Sequence, residues 1–387
     1  MIDFLTPVSK TVLAHRELMH KMSLGKKMLV HTEKSGLPEL SNIQLAIIGV
    51  PENRRDVNYL GNEISFNTIR KAIYSLYQGG WHTNIADLGN IESGETVEDT
   101  YFALKLVAET LLKQKIIPII LGGSQDLVYA TYRAYDKRGT MVNLVNIDAM
   151  FDLGDADQPI SNKSYIGKMV VDKPYNLFNY SNIGYQTYFN SADEIDLIEK
   201  LYFDAYRLGE ITNDISIVEP ITRDADIISL DLTAIKSSEI SYKGTFSPNG
   251  FDGREICAIS RYAGLSNRVS LFGVYEIVDL QDASSATMLV AQIIWYFIEG
   301  VNFRIDDGDF SKEKEYITYK VPIDNQVLIF KKSIKTQRWW IELPFISTIN
   351  NKLKRHTLLP CTYHDYESAC NQEIPNRWYK ARRKNEV

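Results

Sequence analysis

Cysteine is scarce in this chain. Only Cys257, Cys361 and Cys370 occur in 387 residues. No CxxC pair exists, which excludes both a disulfide framework and a structural zinc ribbon. So few thiols fit a reducing, cytoplasmic compartment. Histidine is also sparse: there are six, and none falls between positions 83 and 355. Excess positive charge is missing, since 43 Lys and Arg against 49 Asp and Glu leave a net charge of −6. No global basic surface is available to recruit nucleic acid or anionic lipid. The longest apolar stretch, about residues 286–298, falls short of the ~20 residues of a bilayer span and reads as a buried helix. The first 30 residues carry Lys10, Arg16, Lys21, Lys26 and Lys27 without a continuous apolar run, so no signal peptide is read. The dinucleotide fingerprint GxGxxG and the nucleophile elbow GxSxG are both absent.

The chain is nevertheless rich in core-forming residues. Its 23 Tyr, 15 Phe and 5 Trp exclude disorder as the main state. After a helical lead-in over residues 1–40, with Ser9 placed to cap a helix through Leu13, Leu18 and Met22, short apolar runs alternate with amphipathic stretches. Strands are expected at 45–50, 85–88, 116–121, 141–147, 227–232 and 269–274. Helices are expected at 64–77, 97–115, 125–135, 192–208, 253–264 and 284–298. Strands separated by helices imply a parallel sheet covered on both faces. In such sheets ligands bind beyond the carboxyl ends of the strands.

From about Lys312 the texture becomes β-rich. Strands are expected at 316–321, 327–331 and 338–343, with Asp324-Asn325 as a hairpin turn. On the last of these, one of Trp339 and Trp340 should face inward and the other outward, where it packs onto the main domain or, as the alternative, marks an interface beside Arg338. Beyond residue 350 stand eight Lys and Arg against four acids, which reads as a solvated basic end. The expected organisation is thus a lead-in over 1–40, an α/β/α domain over 41–305, and a β-rich extension with a basic tail over 306–387.

Three strand-end segments hold the candidate chemistry: Leu121-Gly122-Gly123-Ser124-Gln125-Asp126, Asn146-Ile147-Asp148-Ala149-Met150-Phe151-Asp152, and Ser229-Leu230-Asp231-Leu232-Thr233. Asp148, Asp152 and Asp231 should converge at one sheet edge. Converging carboxylates are costly unless a cation, a proton or a basic side chain neutralises them. Read singly, each is an ordinary helix or turn cap. Cys257 lies on an apolar helix face and reads as core.

Together these segments resemble the metal-binding signatures of the ureohydrolase family (arginase, agmatinase and formimidoylglutamase): GGDHS, DAHxD and SxDxDxxDP. Ile48-Gly49-Val50-Pro51, the segment Pro248 to Glu255 and Gly273-Val274-Tyr275-Glu276 add ordered matches, and the formimidoylglutamase-like branch is the nearest. The resemblance implies a three-layer α/β/α fold with a mostly parallel eight-stranded sheet. It also implies two Mn²⁺ ions bridged by hydroxide, which attacks a guanidinium or amidine carbon.

The ligand set is incomplete. Asp148, Asp152 and Asp231 stand at retained metal positions. The first His is replaced by Gln125, the second by Met150, and one Asp by Thr233, while a later non-ligand Asp has become Lys236. Glu276 matches the acid that meets the cationic end of the substrate; pairing with Arg254 or Arg268 is the structural alternative. The remaining donors are oxygens and an amide, so the expectation is no resident metal, with a single divalent cation (Mg, Ca or Mn) as the alternative. Lys236 or Lys168 would then neutralise the acids, or a carboxylic proton would do so. Three functions follow. The leading one is a degenerate family member without di-manganese hydrolysis, acting by binding or within a protein assembly, with a protein partner or its own copies. The others are an active hydrolase of C–N bonds in linear amidines, and a single-cation or small-molecule sensor using the old crevice.

Overall fold

A computed structural model describes residues 2–61, 63–155, 157–240, 247–277, 284–307, 312–324, 326–344 and 358–386. The main sheet contains β1 (Leu29–Val30), β2 (Leu45–Val50), β3 (Ile85–Asn90), β4 (Ile117–Gly122), β5 (Val142–Ile147), β6 (Leu177–Tyr185), β7 (Asp204–Arg207), β8 (Ile227–Asp231) and β9 (Leu271–Tyr275). Their order is β1-β3-β2-β4-β9-β8-β5-β6-β7. Every pairing in the sheet is parallel. The two-residue edge strand β1 makes it one strand wider than the expected eight.

The central strands are continuous apolar runs because both faces are covered. Leu45 and Ile47 join one core cluster, whereas Ala46, Ile48 and Val50 join the other. Helices Asn67–Ser75, Gly253–Leu265 and Ser285–Asn302 bury side chains in the first cluster, and Val97–Lys113 and Leu127–Arg133 do so in the second. Local chemistry starts several helices: Thr96 and Asp99, Ser191 and Glu194, and Asp252 and Glu255 each form a reciprocal capping box. Ser9 caps Lys10–Glu17 as expected. The expected helix over 192–208 stops at Lys200, and β7 follows. Among the described residues no helix is long and apolar enough to cross a membrane.

A second, antiparallel sheet contains β10 (Tyr316–Ile323), β11 (Gln326–Ser333), β12 (Trp339–Glu342) and β13 (Leu358–Cys361), in that order. Ile323 pairs with Gln326, so the hairpin falls where expected, although Asn325 lies outside the described residues. Trp339 and Trp340 take opposite faces, as the alternation requires, and both are buried, the second by packing onto the main domain. Trp339 stacks on Tyr319 and Tyr366, while Trp340 lies under the guanidinium of Arg223, 4.4 Å from its ring centre. The sheet thus has aromatic cover on one face and the main body on the other.

The described part of the basic tail is not a solvated end. It forms helices Tyr363–Cys370 and Asn376–Glu386. Arg377 donates to Tyr206 Oη (3.3 Å), and Lys380 Nζ to the carbonyl of Phe203 (2.7 Å). Lys380 also lies 3.9 Å from Asp204. The cations dock against the edge strand β7. The tail residues Lys352, Lys354 and Arg355 lie outside the described residues.

Candidate active-site crevice

Strands β4, β9, β8 and β5 are neighbours, and each delivers its polar residue at its carboxyl end. Gln125 follows β4, Glu276 follows β9, Asp231 ends β8, and Asp148 follows β5 with Asp152 four residues on. All five are buried. The expected convergence of the aspartates is therefore what the sheet order produces. Asp152 and Glu276 hold left-handed backbone, with φ of 52° and 59°. Non-glycine residues rarely adopt it, and it concentrates at functional sites. Gly123 lets the first loop close: a Cβ there would stand 2.2 Å from the carbonyl oxygen of Glu52. At Gly122 a Cβ would instead stand 2.3 Å from the Tyr275 ring, so both glycines serve packing.

Backbone and amide donors satisfy part of the cluster. The Met150 N–H donates to Asp148 Oδ1 (2.9 Å), and Asn146 Nδ2 donates to its Oδ2 (3.2 Å). The Thr233 N–H donates to Asp231 Oδ1 (2.6 Å). Glu276 Oε1 accepts from the Gln125 N–H (2.8 Å) and from Asn162 Nδ2 (3.2 Å). Neither arginine expected to pair with Glu276 does so; Arg268, for instance, engages Asp224 (3.2 Å) and Asp226 (3.6 Å). Apart from the Asp148 carboxyl, no hydrogen-bond donor among the described residues reaches either oxygen of Asp152, and none reaches Asp231 Oδ2.

The cation that faces these bare oxygens is Lys163. Its Nζ lies 3.5 Å from Asp152 Oδ1 and 3.9 Å from Asp231 Oδ2, with its side chain 26% exposed. This corrects the expected neutralisers. Lys236 turns instead to Asp252, at 4.0 Å, and Lys168 makes no ion pair with the three aspartates. Lys163 and its neighbour Asn162 were missed in the sequence. They precede the helix Tyr165–Val171 in a loop with no strand-end signal of its own.

Burial pushes the cluster's carboxyls toward their neutral forms. Asp152 is raised to about 6 and Asp231 to about 7, desolvation being the main cause, while Lys163 pulls both down. Burial, then the charge of Asp152, holds Asp148 well above the usual carboxylate range. Burial, then Asp231, does the same for Glu276. Burial works against the charge on Lys163, but the surrounding carboxyls outweigh it and keep it protonated. The sign of the pH dependence follows. The native state keeps protons that the unfolded chain releases near pH 4, so this contribution is complete below about pH 4 and is lost as pH rises toward 7. The thermal midpoint is expected to fall by several degrees between pH 5 and pH 8. Asp231→Asn should flatten that fall; equal slopes in the two proteins would remove Asp231 from the explanation.

The donor set does not fit a pair of manganese ions. Both imidazole positions are lost. Gln125, at the first, donates its amide nitrogen to Asn146 Oδ1 (2.8 Å) and Ser229 Oγ (3.1 Å), which leaves its buried amide oxygen as one neutral donor in place of an imidazole. Met150, at the second, offers a soft thioether, a poor ligand for a hard ion. The Lys163 ammonium already stands beside Asp152 and Asp231, where a second positive charge would be repelled. Among the described residues no group of three or more His, Cys, Asp or Glu is disposed to hold a metal ion.

Comparison with known proteins agrees with the order of these strand-end segments. Residues 43–299 match the arginase family. The chain is 28% identical over 220 residues to a formimidoylglutamase of Corynebacterium efficiens, covering 53% of this chain and 67% of that protein. It is 26% identical over 223 residues to a formimidoylglutamase of a Geobacillus species, covering 54% and 67%. Among solved structures, the formiminoglutamase of Trypanosoma cruzi with Mn²⁺ superposes with a TM-score of 0.61 at 17% identity, covering 73% of this chain and 99% of that one. Formimidoylglutamase from Bacillus subtilis gives 0.60 at 17% identity, covering 71% and 95%. At that identity the structural likeness establishes the fold.

Proposed function

The chain belongs to the arginase family, and from that premise we propose that it is a formimidoylglutamase-like member that has given up di-manganese hydrolysis and works through binding, as a component of a protein assembly. One observation carries this reading: the Lys163 ammonium beside Asp152 and Asp231 supplies the positive charge that the acids need. An ammonium balances carboxylates, but it cannot lower the pKa of a bound water as a divalent ion does. The crevice then keeps a buried acidic floor, with Glu276 held by Gln125 and Asn162, and lacks the nucleophile for C–N cleavage.

The test is metal content by inductively coupled plasma mass spectrometry, after incubation with Mn²⁺ and removal of excess. The expected result is close to zero Mn per chain, with no formamide or urea released from linear amidines. About two Mn per chain, as a hydroxide-bridging pair requires, together with turnover would overturn the proposal in favour of a hydrolase. A stoichiometric Mg²⁺ or Ca²⁺ that raises the thermal midpoint would instead install the single-cation sensor.

A further inference from the structure

A second pocket, of about 320 Å³, lies on the opposite edge of the sheet from the aspartates. The strand ends show this. Met141 immediately precedes β5, Leu177 opens β6 and Phe203 immediately precedes β7, so the pocket sits at the amino ends of three adjacent strands. Its body is lined by Met169, Val170, Leu177 and Leu201, with the rings of Phe178 and Phe203 beside them. Both charged residues in the lining are cations, Lys200 and Lys384, and no acid lines it. An apolar cavity with a few converging polar groups is the usual form of a small-molecule site.

Lys384 comes from the docked C-terminal helix Asn376–Glu386. Its ammonium donates to Asn179 Oδ1 and lies 5.9 Å from the ring centres of Phe178 and Phe203. The same Asn179 donates to Asp204 Oδ2 (2.9 Å), and Asp204 is also approached by Lys380 (3.9 Å). Among the described residues no carboxylate stands within ion-pairing distance of Lys384. Lys384 is half-buried, and Asp204 and Asp224 act on it only from beyond ion-pairing distance, so an incoming anion would find an ammonium that no carboxylate among the described residues contacts. Burial accordingly lowers the Lys384 pKa to about 8. Tyr175 and Tyr202, which also line the pocket, hold left-handed backbone with φ of 57° and 54°. Bulky residues keep that conformation only where their surroundings enforce it.

We propose that this pocket binds a small amphipathic carboxylate, its hydrocarbon body against Met169, Val170, Leu177 and Leu201 and its carboxylate on Lys384 Nζ. At about 30 Å³ per water-sized group, the space takes about ten non-hydrogen atoms, the size of octanoate. The proposal is independent of whether the crevice at the other edge of the sheet has lost its metals.

The test is isothermal titration calorimetry of the full chain at pH 7 with octanoate, octan-1-ol and octylamine. Octanoate is expected to bind at least about tenfold more tightly than either control, a difference of about 1.4 kcal/mol. Lys384→Met keeps the aliphatic stem and removes the charge. It should weaken octanoate by about tenfold and leave octanol unchanged. Val170→Phe fills the space and should abolish binding of octanoate. Absence of saturable octanoate binding, equal affinity for the three ligands, or octanoate affinity unchanged in either variant would overturn the proposal. The three-ligand comparison in the unmodified protein decides the matter even where a variant does not fold.

Discussion

Replacing Lys163 by methionine is expected to cost about 3–5 kcal/mol of stability at pH 8, the usual penalty for stripping one partner from a buried ionic cluster. The loss should be pH-dependent. At pH 5 the carboxyls around Lys163 can take up protons, because burial already raises Asp152 to about 6 and Asp231 to about 7. The penalty should therefore shrink to roughly 1 kcal/mol there, since a proton does the work of the missing ammonium. Adding Asp152→Asn to Lys163→Met should recover much of the loss at pH 8, because it removes the carboxylate nearest Lys163. Chemical denaturation at both pH values measures all three effects. A Lys163→Met protein as stable as the parent at pH 8 would falsify the claim that Lys163 balances the acids.

The second large effect is expected far from the crevice, at Arg70. This residue is buried on the helix Asn67–Ser75 and grips Asp87 on β3 with two nitrogens, Nε at 2.8 Å and Nη2 at 3.2 Å. It also donates to Asn90 Oδ1 (2.7 Å) and to the carbonyl of Gly89 (2.7 Å), while Tyr74 Oη donates to Asp87 Oδ2 (2.9 Å). Arg70→Met leaves Asp87 charged and buried, and the expected cost is about 3–5 kcal/mol. Arg70→Lys should be almost as damaging, since an ammonium cannot reproduce the planar two-nitrogen grip. The double variant Arg70→Met with Asp87→Leu should regain at least half of the loss, because no uncompensated charge remains. Urea denaturation of the set reads this directly; a double variant no better than Arg70→Met would show that the pair supplies net stability beyond mutual neutralisation.

How much of this was legible beforehand differed by element. The core strands were readable because a strand buried on both faces is a continuous apolar run bounded by polar residues, as in Leu45–Val50 and Ile117–Gly122. Strand β6 was missed because Leu177–Tyr185 carries Asn179, Ser181 and Asn182 in its middle, where an apolar run was sought. Strand β7 was absorbed into a helix because Asp204–Arg207 is four residues long and follows a well-capped amphipathic stretch. The two tryptophans stand on opposite faces, as alternation required, and both are covered. Period-two alternation says which face a residue occupies, but says nothing about a neighbouring layer that covers the other face.

The site divides along the same line. The amino-acid sequence by itself determined that Asp148, Asp152, Asp231 and Glu276 stand at strand ends and that the imidazoles are gone, because these depend on residue type and local pattern. Only the tertiary structure decided which cation meets the acids. Lys163, Lys168 and Lys236 are chemically equivalent in the sequence, and their reach differs only through the loops that carry them: Lys163 points to Asp152 and Asp231, and Lys236 to Asp252. The pocket beside Lys384 is of the same kind. It exists because a C-terminal helix folds back on the amino ends of strands, through contacts to residues 177 and 205 positions earlier in the chain, a contact that no local pattern encodes.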